Sequence, residues 1–137
     1  MEKQFTLESA NRALSLVRPI VSDILTKMRA AEVIHGEVKT EKARLSMSET
    51  TLLDKLKAAE TLLNQVEYHM KELQSVGTLL KDLSLGLIDF PFEHEGRTIY
   101  LCWMPGEPEV KFWHEMYQGF SHRKSIDASF AGSLTAQ

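Results

Sequence analysis

Apolar side chains in the first half of the chain recur in alternating steps of three and four. Leu7, Ala10, Leu14, Val17, Val21, Ile24, Met28 and Ala31 form one series, the mark of a heptad seam along an α-helix. Thr6 stands before it as an N-cap, and Glu8 and Asp23 fall on its surface. Pro19 lies inside the pattern. It lacks an N–H and its ring crowds the preceding turn, so a kink or local gap is expected, with a break into two helices near Arg18 as the competing expectation. The stretch "HGEVKTEKARLS", residues 35–46, interrupts the series. Gly36 and the dense charge there predict a helix end and a solvated connection.

A second series follows: Leu52, Leu56, Ala59, Leu63, Val66, Met70 and Leu73. Ser46-Met47-Ser48-Glu49 has the spacing of a capping box before it. Gly77 falls where a helix commonly ends in a left-handed residue. Two helices of roughly 27 to 30 residues, about 40 to 45 Å long at the helical rise, make an antiparallel hairpin over residues 5–77. Leu16, Ile20, Leu25, Leu53 and Leu62 widen the apolar surface beside both seams. A single hairpin is too thin to hide it. A homodimer forming a four-helix bundle is the expected remedy, and cover from the C-terminal part of the same chain is the alternative.

After the helices the period changes to two. Leu87-Ile88-Asp89-Phe90 is a short strand stopped by Pro91, and "EHEG" is a turn. Arg97–Trp103 is the clearest strand, with Ile99, Leu101 and Trp103 on one face and Thr98, Tyr100 and Cys102 on the other. "MPGEPE" is a rigid loop, and Val110–His114 is a third strand. The fold class expected is therefore α+β: a long, coiled-coil-like antiparallel helical hairpin with a three-stranded antiparallel β layer over residues 87–115. Residues 1–123 form the single domain, and residues 124–137 read as an extended or disordered tail.

Composition and charge narrow the function classes. The 137 residues suit one domain, and the net charge of −3 with no basic face argues against nucleic-acid binding. One cysteine, Cys102, leaves no intramolecular disulfide and no four-thiol zinc site. The N-terminus lacks the basic-then-apolar order of a signal peptide, and no apolar run approaches the roughly 18 residues that span a bilayer. A cytoplasmic protein with no membrane partner is the expectation. Residues 1–76 hold 11 basic and 11 acidic side chains, and the remainder 5 and 8, so the whole excess of acid lies in the C-terminal part.

Most of the chemically capable side chains also lie there. Asp89, Glu107 and His114 fall at or near strand ends and in the loop between strands, where side chains converge. Two carboxylates and an imidazole suit a divalent zinc, manganese or iron ion, with His94 or Glu115 able to complete the set. Solvated acids and a packed histidine would explain the same residues without a metal. A second arrangement is an anion clamp of Arg97, Lys111 and Arg123 with Trp103, Trp113 and Tyr100, from which Arg97, Trp103, Trp113 and Arg123 are the candidate ligand-binding residues. Arg97 locked onto Asp89 or Glu107 is the structural alternative. His114-Glu115-Met116-Tyr117-Gln118 begins like a zinc-protease helix, but Gln118 stands where the second histidine ligand belongs. Cys102, between Leu101 and Trp103 in a strand, reads as a buried inert thiol. His69 and His35 read as surface or capping residues.

Several segments in order, "FTLESAN", "LKDLSLGLIDFP", "GRTIYLCW", "GEPEVKFWHE" and a "GF" ahead of Arg123, resemble the bacterial domain of unknown function numbered 2203. The resemblance runs from Phe5 to about Lys124. It implies a small cytoplasmic bacterial protein and a family motif on Asp89, Phe90, Pro91, Arg97, Cys102, Trp103, Gly106, Glu107, Trp113, His114, Glu115, Gly119, Phe120 and Arg123. It brings no activity with it. Ser9 departs from the glutamate expected there, which would cost a capping box with Thr6. Two readings of function follow. In one, the hairpin is a scaffold and the β layer binds a metal ion or small polar ligand. In the other, the helices are an interaction surface for a protein partner and the β layer is a cap. Neither names a nucleophile, base and substrate, so enzyme status stays open.

Overall fold

The computed structural model describes residues 4–45 and 47–127. Ser46 and the stretch beyond residue 127, on which sequence expectations fall, lie outside the described residues. Two long helices, α1 (Leu7–Arg44) and α2 (Glu49–Val76), are followed by strands β1 (Leu79–Asp82), β2 (Leu87–His94), β3 (Arg97–Trp103), β4 (Phe112–Glu115) and β5 (Lys124–Ser125). The helices pack on each other and the strands form one antiparallel sheet in sequence order. The α+β hairpin-and-sheet expectation holds, with five strands in place of three.

Each helix start has a local cause. Thr6 caps α1, and the box lost with glutamate is rebuilt by serine: Ser9 Oγ accepts the Thr6 N–H at 2.9 Å while Thr6 Oγ1 accepts the Ser9 N–H at 3.0 Å. Ser48 caps α2 by accepting the Thr51 N–H, and Gly77 ends it at φ 99°. The expected helix end at Gly36 is overturned. α1 runs on to Arg44, because Val38, one heptad on from Ala31, is buried. Helix-forming Lys and Glu residues around it offset the cost of one glycine. The break near Arg18 is overturned as well. Pro19 is exposed and removes one amide, but Val17 and Val21 on either side of it are fully buried, and their packing holds the helix continuous.

The sheet corrects another boundary. Pro91 does not stop β2, which passes through it to His94. β1 pairs only with Leu87–Asp89, so at Pro91 that side of β2 carries no strand and needs no proline N–H. The Phe5 amide donates to the Pro91 carbonyl there, at 2.8 Å. Glu95 (φ 51°) and Gly96 (φ 80°) then close a two-residue hairpin into β3. β1 and β5 have no counterpart among the strands expected from sequence. β5 extends from the stretch that reads as tail and pairs Ser125 with Phe112 and Lys124 with Trp113.

One core joins the layers. Ala10, Leu14, Val17, Val21, Ile24 and Leu25 of α1 and Val66 and Leu73 of α2 meet Ile88, Phe90, Phe92, Ile99, Leu101 and Trp103 of the sheet. No described residue between 29 and 65 joins it. The base of the hairpin therefore sits on the sheet, while its far half is held by Ala31, Val38 and Ala59 among the described buried apolar residues. No helix among the described residues is long and apolar enough to cross a membrane.

Candidate metal centre on the outer face of the sheet

Alternation along the strands decides which side chains meet. Ile88 and Phe90, and Leu101 and Trp103, point at the helices, so Asp89 of β2 and Cys102 of β3 point away from them. Asp89 and Cys102 are direct cross-strand partners. His114 of β4 is opposite Tyr100, one pair along the same outer face. Asp89, Cys102 and His114 are all buried, at 1%, 0% and 2% exposure, although they lie on the side of the sheet away from the helices. The turn after β4 contributes: Met116, Gln118 and Gly119, with Lys81 and Tyr100, line a cavity of about 100 Å³ onto which Asp89 and His114 open.

The ligand-type atoms of these three residues all lie within 4.8 Å of one another. His114 Nδ1 is 2.8 Å from the Glu115 carbonyl oxygen, which only accepts, so Nδ1 carries a hydrogen. Nε2 is 2.9 Å from Asp89 Oδ1. A bare Nε2 lone pair against an ionised carboxylate would be repulsive. A positive centre, either a proton or a cation, must therefore lie between them. Asp89 Oδ2 is buried with no hydrogen-bond partner, a costly state for a carboxylate oxygen. Burial works against the imidazolium of His114, yet its hydrogen bonds to Asp89 and to the Glu115 carbonyl outweigh it, and the pKa is raised. Burial, and then the negative charge of Asp89, push the Cys102 thiol far up, so without a cation it stays protonated.

The structure brings together two of the three metal ligands expected from sequence and not the third. Glu107 is in the β3–β4 loop, where Oε1 accepts the Met104 N–H at 2.8 Å and Oε2 pairs with Arg123. Cys102 takes its place in the cluster. Only the β2–β3 register could have shown that, because a slip of one residue would have turned Cys102 to the helices. Glu115 pairs with Arg97 at 2.7 Å, and His94 lies beside Glu95 at the hairpin, so neither joins Asp89 and His114. The four clamp residues do not form one site. Arg97 is held by Glu115, not by Asp89 or Glu107, and Arg123 is held by Glu107 over the Phe112 ring. Trp103 belongs to the helix-facing core and Trp113 packs against it. Lys111 is exposed on the same loop. His69 is not a plain surface residue, since it bridges Lys27 of α1 and Glu72 of α2 at 2.8 and 2.6 Å.

Neither a curated protein nor a solved structure matches this chain. A family model matches residues 3–126, nearly the whole length and all three cluster residues, so the chain belongs to the family described as Uncharacterized conserved protein (DUF2203).

Proposed function

We propose that the outer face of the sheet binds a divalent cation through Asp89, Cys102 and His114. The observation that carries this reading is a buried carboxylate, imidazole and thiol whose ligand atoms lie within 4.8 Å of one another, with Asp89 Oδ2 left without a hydrogen-bond partner. The histidine is already in the form a metal ligand takes, with Nδ1–H donated to a backbone carbonyl and Nε2 turned to the cluster. Zinc–ligand bonds of about 2.0 to 2.3 Å place tetrahedral ligand atoms roughly 3.3 to 3.7 Å apart, so His114 Nε2 and Asp89 Oδ1, at 2.9 Å, would part slightly to admit the ion, within a cluster that already spans no more than 4.8 Å. Carboxylate and thiolate together balance a double positive charge, which makes the loaded site neutral in a buried setting. The thiolate favours zinc or ferrous iron over manganese. Three protein ligands leave a fourth position for water, facing the cavity beside Lys81 and Tyr100.

Elemental mass spectrometry on protein purified without an affinity tag tests this directly. Near-stoichiometric zinc or iron is expected, lost in Asp89→Asn and Cys102→Ala proteins that keep the helical circular dichroism of the wild type. Wild-type protein that purifies without metal and takes up neither ion on dialysis would end the reading.

A second reading concerns the helices. Leu53, Leu56, Leu63 and Met70 of α2 are more than a third exposed, and this supports self-association of the hairpin into a homodimer.

A further inference from the structure

We infer a second ligand site, separate from the metal cluster, that binds a phosphomonoester carried on a planar apolar body. It is a cleft of about 720 Å³ between α1 and the loop joining β3 to β4, a size that suits a small organic ligand. One wall is a stripe of α1. Arg18, Ser22, Thr26 and Arg29 follow at helical spacing and all line the cleft. Ser22 is one turn from Arg18, and Thr26 three residues from Arg29, so each guanidinium has a hydroxyl beside it. A carboxylate is satisfied by a guanidinium alone. A phosphate has oxygens enough to use the hydroxyl as well, and the pairing therefore favours phosphate. Between the two cationic ends the lining turns apolar, with Leu25 of α1 and Trp103 and Pro105 opposite.

The charge in the cleft is unbalanced. Glu107 is the one acid in its lining among the described residues, and its carboxylate is taken by the Met104 amide and by Arg123. Arg29 forms no ion pair among the described residues. Arg18 donates to the Pro108 carbonyl and lies 6.0 Å from the centre of the Trp103 ring, with no carboxylate partner among the described residues.

The opposite wall is preformed. Trp103 Nε1–H donates to the Glu107 carbonyl at 2.8 Å, the Glu107 amide to the Met104 carbonyl at 3.1 Å, and the Val110 amide to Asn11 Oδ1 at 2.7 Å. Gly86 lets Pro105 approach α1, since a Cβ there would meet Val21 at 2.8 Å and Pro105 at 3.1 Å. A ligand would meet a loop that is already ordered, which lowers the entropic cost of binding.

Phenyl phosphate, phenol and inorganic phosphate are the probes, followed by amide and indole NMR signals of the full chain. Phenyl phosphate is expected to shift the Trp103 indole and Gly106 amide signals, inorganic phosphate to shift them more weakly, and phenol not to shift them. Arg29→Gln, at an exposed position with no ion-pair partner among the described residues, is expected to weaken phenyl phosphate binding about tenfold, the loss of one charge-assisted contact. Arg18→Gln, at the other end of the cleft and already donating to the Pro108 carbonyl, should weaken it less. Equal binding of phenol, an unchanged affinity in Arg29→Gln, or shifts confined to Cys102 and His114 would each overturn the proposal. So would the absence of any shift at millimolar phenyl phosphate.

Discussion

At the scale of single residues, the sheet separates side chains that the sequence presents as one dense patch. Arg97 and Glu115 make a two-pronged pair at the far end of β3 and β4, with contacts of 2.7 and 3.2 Å. Its hydrogen bonds hold the Glu115 carboxyl below its ordinary value of 4.5. A carboxyl whose pKa falls on folding stabilises the fold above its unfolded value, and that contribution is lost as pH drops through the folded value. The Arg97 side chain is half exposed, and solvent screening keeps the effect small. Denaturant midpoints measured from pH 7 down to pH 3 should fall less steeply in Arg97→Gln than in the wild type, and parallel acid limbs would refute the pairing. Asp89 and His114 were legible as candidates for one cluster because acids and imidazoles near strand ends are conspicuous. Cys102 was legible as buried, but not as their neighbour. Its meeting with Asp89 is a fact of cross-strand register, which no one-dimensional pattern contains. Glu107 misled for the opposite reason: a loop acid has the chemistry of a ligand whether or not the loop spends it on itself.

At the scale of elements, periodicity finds both helices and the central strands, and fails at the C-terminal ends of α1 and β2. The hairpin seams, the Gly77 stop and the β3 faces follow from residue spacing alone. The four residues of β1 and the two of β5 are too short to show a period, and their pairing depends on edges that β2 and β4 offer. Gly36 reads as punctuation in the sequence and is an interior helical residue in the fold, where a Cβ would meet nothing within 4 Å. Gly36→Ala should therefore raise stability by about 0.5 to 1 kcal/mol, through helix propensity alone. Gly86 is the contrasting case. It sits at φ 74°, and a Cβ added there would stand within 3.1 Å of Val21, Leu25 and Pro105, so Gly86→Ala should cost stability through both strain and overpacking. Thermal melts of the two variants check this, and a Gly36→Ala protein less stable than wild type would contradict the continuous helix.

At the scale of the whole molecule, the core is lopsided. The sheet covers the base of the hairpin and takes no described residue from positions 29–65. Along α2 the seam divides in two: Ala59, Val66 and Leu73 are buried, while Leu56, Leu63 and Met70 stay 36% to 38% exposed. The exposed set repeats every seven residues, the interval at which one helix presents knobs to another. Leu53, at 60% exposure, widens the stripe. A second copy of the chain offers the same heptad interval in the same hairpin. The 11 basic and 11 acidic residues of positions 1–76 leave no net charge to repel it. A two-fold pairing of hairpins would convert two thin stalks into a four-helix bundle. Light scattering at tens of micromolar protein should then return twice the chain mass. Leu56→Glu with Leu63→Glu should return the single mass without unfolding the chain, because neither side chain belongs to its core. A wild type that runs as a monomer, or a double variant that still dimerises, would remove the helices from the interface and leave the exposed stripe for another kind of partner.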